Sequence, residues 1–414
     1  MEIKFYSGTN QIGASCFEVR SQGGGRILFD YGKPLDSVGA APQLDDCNMI
    51  DGVFISHPHQ DHYGFINELP KQIPFYMSET GSKLIKLSQR LSSAAHKAYD
   101  NKTIFLNSGK SVKVKDIEII PFMADHSAIG ALSFLIKADG KSIFYSADFR
   151  FTGRKPYTSS TLEQYFEKHK EKIDYLILEG THIEKENASP KTEEQLEKEI
   201  VDFLKKPDKL TFVYASGQNI DRFVTFYRAA IRTKKILVID LYMAYILDTL
   251  NIPTLPKSQS NNILRFPYKE QVRQFKRAKL SEYTDKFLKT YTKKDKEINA
   301  NPSKYIFLLR SSMLSGKNEF NEINVKNANL IYSMWAGYQN KDDYKKTIGN
   351  WIDKNNILKK DMHISGHADI EALKKLVDIV KPQNIIPFHT NNPETFKKHW
   401  DNVRIVKDKE ILEV

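Results

Sequence analysis

The sequence predicts an α/β chain built as two domains, or as one domain carrying a large insertion. Three observations carry this reading. Short apolar runs of strand type alternate with helical patterns over most of the chain. Two strand-then-helix units stand together in its middle. The 414 residues also exceed what a single ordinary core accommodates.

The opening is β-rich: EIKFYSG and ASCFEVRSQ are followed by the glycine turn GGG and by RILFDYG, a hairpin-type succession. MIDGVFIS reads as a strand running into the loop HPHQDH, and YGFINELPK as the first turns of a helix stopped at Pro70. KTIFLN, VKVKDIEIIPFMA, ALSFLIKAD, KSIFYSADF and DYLILEG are predicted strands, with SKLIKLSQRLSSAAHKAYD a helix among them. After Gly180 the chain becomes more charged, and THIEKENASPKTEEQLEKEIVDFLKK opens a helix-rich region. There KLTFVYASG leads into NIDRFVTFYRAAIRT, and KKILVID into LYMAYILDTL. A basic, aromatic stretch, FPYKEQVRQFKRAKLSEYTDKFLKTYTKKDK, precedes two more strands, KYIFLLRSS and NANLIYSMW. From about residue 353 strand, loop and helix return in KKDMHISGHADIEALKKLVDIVKPQNIIPFHT.

Hydrophobic residues make up 40% and charged residues 27% of the chain, a globular balance without any apolar run near the ~20 residues of a membrane helix. No membrane partner is expected. The N-terminus lacks the basic start and apolar stretch of a secretory signal, and Cys16 and Cys47 are the only cysteines. A reducing, cytoplasmic setting follows, with both thiols as packing groups. The net charge of +11 has the sign that suits a partner made of phosphates, although lysine spread over a solvated surface would give the same total.

The chemistry is concentrated in HPHQDH. Side chains alternate along an extended backbone, so His57 and His59 project together, and Pro58 helps keep the segment extended. Asp61 and His62 follow where the chain turns into a helix and can aim at a second point ~3 to 4 Å away, the spacing of paired catalytic metals. Imidazole and carboxylate without thiolate suit zinc or manganese in a hydrolytic site. His126, in ADHSAIG, and Asp148, in YSADFR, each follow an apolar strand and complete two ligand sets, with Asp148 able to bridge two cations.

The order H-x-H-x-D-H at 57–62, His126, Asp148 resembles the motif set of the metallo-β-lactamase fold, an αββα sandwich of two sheets covered by helices. In that family an aspartate at the end of an early strand supports the metal loop, and Asp30 in ILFDYG fits that position. The rest of the chain resembles the β-CASP branch, nucleic-acid-processing members that include ribonuclease J. Glu179 in YLILEGTH matches the branch's first additional motif, HISGHAD at 363–369 the second, centred on His367, and His389 in IIPFH the third. ASGQNIDRF looks like the start of the inserted α/β cap of that branch. The resemblance implies a core over residues 1–183, a cap over 184–352, and a return to the core over 353–414. Ribonuclease J usually follows its third motif with a PxHGE-like string and a further C-terminal domain, whereas this sequence reads PFHTNN and ends at Val414. The oligomer and RNA contacts of such a tail are therefore not carried over, and the oligomeric state stays open.

By the same resemblance, His57, His59 and His126 hold one divalent ion, and Asp61, His62 and His389 the other, zinc or else manganese, with Asp148 between them. A two-metal-activated hydroxide would attack a phosphodiester. Asp61, His367 and Glu179 are the residues expected in catalysis: His367 as the acid for the leaving oxygen or as a donor to the phosphate, and Glu179 as the acceptor of the second N–H of a ligand histidine, expected to be His62. His363, Ser365 and Gly366 are candidate phosphate contacts, with turn hydrogen bonds the alternative, and Arg222 and Arg310 candidate backbone clamps. The cap is expected to cover a groove and offer arginine, lysine and aromatic faces to unpaired bases. Members of that branch with histidine at the position of His389 are mostly RNA enzymes, so the resemblance implies RNA over DNA. The function implied is a ribonuclease on single-stranded RNA, endonucleolytic or 5′-exonucleolytic. Its alternatives are a DNA nuclease of the same branch, an inactive RNA-binding subunit, and a small-molecule hydrolase of the wider fold.

Overall fold

The computed structural model describes residues 1–35, 39–92, 97–155, 157–185, 191–206, 209–314, 320 and 322–414. Strands β1 (Glu2–Ser7), β2 (Cys16–Arg20), β3 (Arg26–Phe29), β4 (Gly52–Phe54), β5 (Phe75–Met77) and β6 (Thr103–Phe105) come first, with α1 (Gln60–Tyr63) and α2 (Glu79–Ser92) among them. Then follow β7 (Val112–Val114), β8 (Ile117–Met123), β9 (Leu132–Ala138), β10 (Lys141–Tyr145), α3 (Tyr157–His169) and β11 (Tyr175–Glu179). The middle of the chain holds α4 (Glu193–Lys205), β12 (Thr211–Tyr214), α5 (Ile220–Arg232), β13 (Ile236–Ile239), α6 (Leu241–Leu250), β14 (Ile263–Arg265), α7 (Lys269–Arg277), α8 (Ser281–Lys289), α9 (Asp295–Ala300), β15 (Tyr305–Leu309), β16 (Asn329–Tyr332), α10 (Asp342–Tyr344), α11 (Asn350–Asn355) and β17 (Leu358–Asp361). The chain closes with α12 (Ile370–Val380), β18 (Asn384–Phe388) and β19 (Ile411–Glu413).

Two compact units result: residues 1–87, 98–190 and 366–414 form the first, and residues 88–97 and 191–365 the second. In the first, one sheet has the order β19-β1-β2-β3-β4-β5-β6 and the other β18-β11-β10-β9-β8-β7. Strand alternation explains how they stack. Ile27 and Phe29 of β3 join Phe134, Ile143 and Tyr145 in the core between the sheets, while Leu28 packs outward with Tyr63 and Ile85 of the covering helices. Phe144 of β10 likewise turns outward, against Leu162 and Phe166 of α3 and Leu373 and Leu376 of α12. The layers are helix, sheet, sheet, helix, as the motifs implied. Aromatic rings fasten the middle: Phe17 meets Tyr145 edge-on at 4.9 Å, and Phe29 meets Phe134 at 5.4 Å. Cys16 is buried and Cys47 half-buried against the outer cluster, in keeping with packing roles.

The second unit is a parallel sheet of order β14-β13-β15-β12-β16-β17. Its core gathers Phe212, Phe307 and Leu330, with the Trp351 indole edge-on to Phe212 at 5.1 Å. Helix α4 begins where its sequence says it should: Thr192 caps Gln195 N–H and the Gln195 side chain returns the bond, a capping box. On α7, Phe275 is buried while Arg273 and Arg277 both pair with Glu270 at 3.1 Å, a solvated helix face.

Three expectations are corrected. VKVKDIEIIPFMA is two antiparallel strands, because Lys115 adopts φ +51° and turns the chain so that Val114 pairs with Ile117. The second unit runs to residue 365 rather than 352, because β17 pairs with β16 in its sheet, and it also takes residues 88–97 from the end of the expected first helix. Residues 93–96 of that helix and 186–190 of the charged stretch lie outside the described residues. Among the described residues no helix is long and apolar enough to cross a membrane.

Arg222 is also corrected. Its side chain is wholly buried, facing the equally buried Glu193 with Nη2 at 3.1 Å from Oε1 and Nε at 3.3 Å from Oε2. Nη2 donates to the Ile364 carbonyl at 3.1 Å, and Nη1 to the Ser333 carbonyl at 3.2 Å, to Ser333 Oγ and to His363 Nδ1 at 3.2 Å. With five N–H donors committed, the guanidinium has nothing left for a phosphate. It ties α5 to α4 and to the segments after β16 and β17. Removing one partner of a buried ion pair costs about 3–5 kcal/mol. Arg222→Met is therefore expected to lower the unfolding free energy of the second unit by that amount in a urea titration, while Glu193→Gln with Arg222→Met together recovers part of it.

Candidate metal centre

The polar residues of the first unit collect at strand ends. Asp30 follows β3, Ala147 and Asp148 follow β10, Glu179 ends β11 and His389 follows β18. The loop after β4 supplies His57 and His59, and α1 supplies Asp61 and His62. His59 is the residue before α1, at φ −96° and ψ 144°, so the backbone is extended there as the spacing predicts. The loop is clamped from one side: Ser15, Tyr31 and Lys33 donate their N–H groups to the carbonyls of Asp61, His62 and Gln60 at 3.0, 2.7 and 2.9 Å. Gly32 makes this approach possible, since a Cβ there would lie 1.6 Å from the Asp61 carbonyl oxygen.

Three donor groups emerge among the described residues, the third of which, Asp148, Glu179, His367 and His389, shares Asp148 and His389 with the second. His57, His59 and His126 bring one ring nitrogen each within 4.8 Å of one another, and so do Asp61, His62, Asp148 and His389 with one donor atom each. In the first group His59 Nδ1 lies 3.1 Å from both His57 Nε2 and His126 Nε2. Ligand atoms ~2.0–2.1 Å from a tetrahedral zinc are roughly 3.4 Å apart, so these rings already hold a zinc-like edge. In the second, His389 Nε2 is 3.2 Å from Asp61 Oδ2, and His62 Nε2 is 3.2 Å from Asp148 Oδ2. Asp148 Oδ2 is also 3.6 Å from His57 Nε2, between the two groups.

The donor set fits divalent cations on its own evidence. Although His62 Nε2 faces Asp148 Oδ2 at 3.2 Å, it and both Asp148 oxygens are buried without a well-directed hydrogen bond, a state that buried polar atoms rarely keep unless an ion satisfies them. Burial pulls His57, His59 and His126 below the ordinary histidine range, His59 to about 4, which leaves neutral rings with lone pairs to donate. For Asp61 and Asp148, burial works against ionisation, but His389 and His62 outweigh it and hold both carboxyls below their usual range. At His62 burial opposes charge, yet Asp148 and Asp30 prevail and raise the ring well above its usual range. Its surroundings thus favour positive charge.

Asp30 is the hub behind the loop. Its carboxylate accepts from Ser56 N–H, Ser56 Oγ–H, His62 Nδ1–H and Tyr145 Oη–H, each at 2.8 Å. This corrects the expectation for Glu179: the acceptor for His62 is Asp30, whereas Glu179 Oε2 lies 3.1 Å from His367 Nδ1 and its Oε1 accepts from the N–H groups of Phe149 and Ala368. Glu179 is the last residue of β11 and faces the loop before α12 instead. That loop leaves in a fixed direction because Asp369 caps α12 through Ala372 N–H at 2.9 Å.

The other expected contacts are distributed differently. The Gly366 carbonyl accepts His126 Nδ1–H at 2.6 Å, so this residue orients a candidate ligand. His363 and Ser365 belong to the second unit. His363 is exposed, with Nδ1 accepting from Arg222 Nη1 at 3.2 Å; Ser365 is half-buried. Arg310, expected as a clamp, gives Nε and Nη2 to Asp240 at 2.5 and 3.3 Å and lies over the Tyr242 ring at 4.7 Å. Its guanidinium is an internal ion-pair partner. Sequence reasoning missed Ser56, Tyr145 and Thr181; only the position of Thr181, two residues after Glu179, carried any signal.

Residues 26–206 match the family described as beta-lactamase superfamily domain, and residues 357–400 the Zn-dependent metallo-hydrolase RNA specificity domain, which includes His367 and His389. The RNase J-like protein of Methanocaldococcus jannaschii is 29% identical over 254 residues, 58% of this chain and 57% of that protein. Ribonuclease J 2 of Streptococcus pyogenes is 21% identical over 397 residues, 89% of this chain and 66% of that protein. The chain thus spans roughly half to two thirds of the length of these relatives. A crystal structure of a protein of unknown function from Enterococcus faecalis V583 superposes over 99% of both chains, with a TM-score of 0.75 and 21% identity, which establishes the same fold.

Two ligand groups joined at Asp148 predict uptake of two equivalents of zinc after chelator treatment and dialysis, measured by mass spectrometry of the metal. His59→Ala is expected to retain one. Asp30→Ala, which leaves His62 without its acceptor, should weaken zinc affinity about 10–100-fold.

Proposed function

We propose that this chain, a metallo-β-lactamase-fold protein similar to the ribonuclease J group, is a metal-dependent ribonuclease that hydrolyses phosphodiester bonds of single-stranded RNA. The observation that carries the reading is Asp148 Oδ2, 3.2 Å from His62 Nε2 of its own group and 3.6 Å from His57 Nε2 of the other. The match of residues 357–400 to an RNA specificity domain and the similarity to RNase J-like and ribonuclease J proteins support RNA as the substrate.

Two divalent cations, zinc with manganese as the alternative, supply Lewis acidity toward a phosphate oxygen and toward a water in such a site. The remaining work falls to side chains. Asp61 stays ionised beside His389 and His62 and contributes Oδ2 to the second group. Asp30, Ser56 and the Gly366 carbonyl fix the Nδ1 side of His62, His57 and His126, so that Nε2 is the donor in each.

His367 is the proposed acid. Its ring is 22% exposed, the most accessible side chain around the centre whose hydrogen-bond partner is a carboxylate. Burial opposes charge on it, but Glu179 and Asp148 outweigh that and raise it to about 9. At neutral pH the ring is an imidazolium whose Nδ1–H is held by Glu179 and whose Nε2–H can be given to the leaving oxygen. The positive ring also suits a phosphate oxygen.

The test uses matched 5′-labelled single-stranded RNA and DNA with zinc or manganese. RNA cleavage that disappears in His59→Ala is expected. His367→Ala should lose about 10²- to 10⁴-fold in rate while keeping its metal content. Cleavage of DNA alone would reassign the substrate, and RNA binding without cleavage by the metal-loaded chain would sink the enzymatic reading.

A further inference from the structure

We infer that Thr181 is a positioning residue whose hydroxyl sets the ring of His389 for cation binding; the inference rests on the metal-dependent reading above. A histidine that offers Nε2 to a cation must keep its proton on Nδ1, and that proton needs an acceptor. His62 has Asp30 at 2.8 Å, His126 has the Gly366 carbonyl at 2.6 Å, and His57 has Ser56 Oγ at 3.0 Å. His59 is turned the other way, with Nδ1 facing its two neighbours. His389 remains.

Two oxygen atoms approach His389 Nδ1. Asp148 Oδ1 is 3.7 Å away, beyond hydrogen-bonding distance, and Thr181 Oγ1 is 2.9 Å away. The backbone explains the meeting. β11 and β18 run in parallel with Glu179 paired to Phe388, so Thr181 and His389 leave adjacent strands side by side. A hydroxyl has one proton and two lone pairs. Thr181 Oγ1 accepts His389 Nδ1–H, and its own proton points to the His389 carbonyl oxygen, 3.4 Å away. The same Oγ1 is 3.2 Å from His367 Nδ1, whose proton is directed at Glu179 Oε2 at 3.1 Å. One hydroxyl thereby touches both a ligand histidine and the proposed acid, and it fixes His389 from the side opposite Asp61.

The competing explanation is that Thr181 matters only as a shape, and two substitutions give opposite answers. Thr181→Val keeps the shape and removes the hydroxyl; Thr181→Ser keeps the hydroxyl and removes the methyl. Zinc affinities are measured by competition with a chromophoric chelator. The inference expects Thr181→Val to weaken one of the two equivalents about 10–100-fold, with the other unchanged, and Thr181→Ser to stay near wild type. Thr181→Ala is a second hydroxyl-free variant with the same expected loss. In the cobalt(II)-substituted protein, the shifted solvent-exchangeable Nδ1–H proton signal assigned to His389 should be lost from Thr181→Val and kept in Thr181→Ser. Wild-type affinities in Thr181→Val with impaired Thr181→Ser would overturn the inference and leave the metal reading intact. A wild-type chain that takes up no zinc would overturn both.

Discussion

Two ionised carboxylates, Asp61 and Asp148, are buried together among six imidazoles, and the first unit is arranged around the cost of keeping them there. An isolated carboxylate would avoid such a place by taking up a proton. Here His389 and His62 keep both charged, and the rings that need to stay neutral, His57, His59 and His126, do so through burial. The balance works only if each ring is held in one orientation. That requirement explains the ring of acceptors behind the ligands, each drawn from a different part of the chain: Asp30 after β3, Ser56 after β4 and Gly366 before α12.

The sandwich supplies the rigidity. Three of the strands that deliver the site turn into left-handed backbone as they end: Asp30 at φ +56°, Ala147 at +47° and His389 at +52°. None is glycine, so each conformation costs roughly 1–2 kcal/mol. The strands immediately before them carry Phe29, Tyr145 and Phe388, all in the inter-sheet core and in mutual aromatic contact through Phe17. The core thus fixes the strand up to its last residue, and the strain falls on the residue that aims a functional group.

What the sequence revealed follows from how local each signal is. The clustering of the loop was legible because His57, His59, Asp61 and His62 are placed by strand alternation and a single turn. His126, Asp148 and His389 were legible as polar residues that end apolar strands, and the sandwich was legible from their order. The partners were not. That Glu179 serves His367 and not His62 depends on which strands neighbour β11, and that Arg222 is consumed by Glu193, Ser333 and Ile364 depends on contacts up to 142 residues away in sequence. Arginine in an amphipathic helix looks the same whether it faces solvent or a buried glutamate. The domain border was misplaced for a related reason, since β17 is a short, lysine-bearing strand assigned to its sheet only by pairing.

Gly366 is the residue at which the chain re-enters the first unit, and its carbonyl holds His126. Anything that binds His126 on its other nitrogen therefore stabilises the turn at 366 by mass action, in proportion to its concentration over its dissociation constant. The reverse holds by the same linkage: a force that pulls the returning segment away from His126 weakens whatever that histidine holds. The re-entry point is in this sense a mechanical gauge of the centre, and the affinity of the centre a measure of how well the chain has closed.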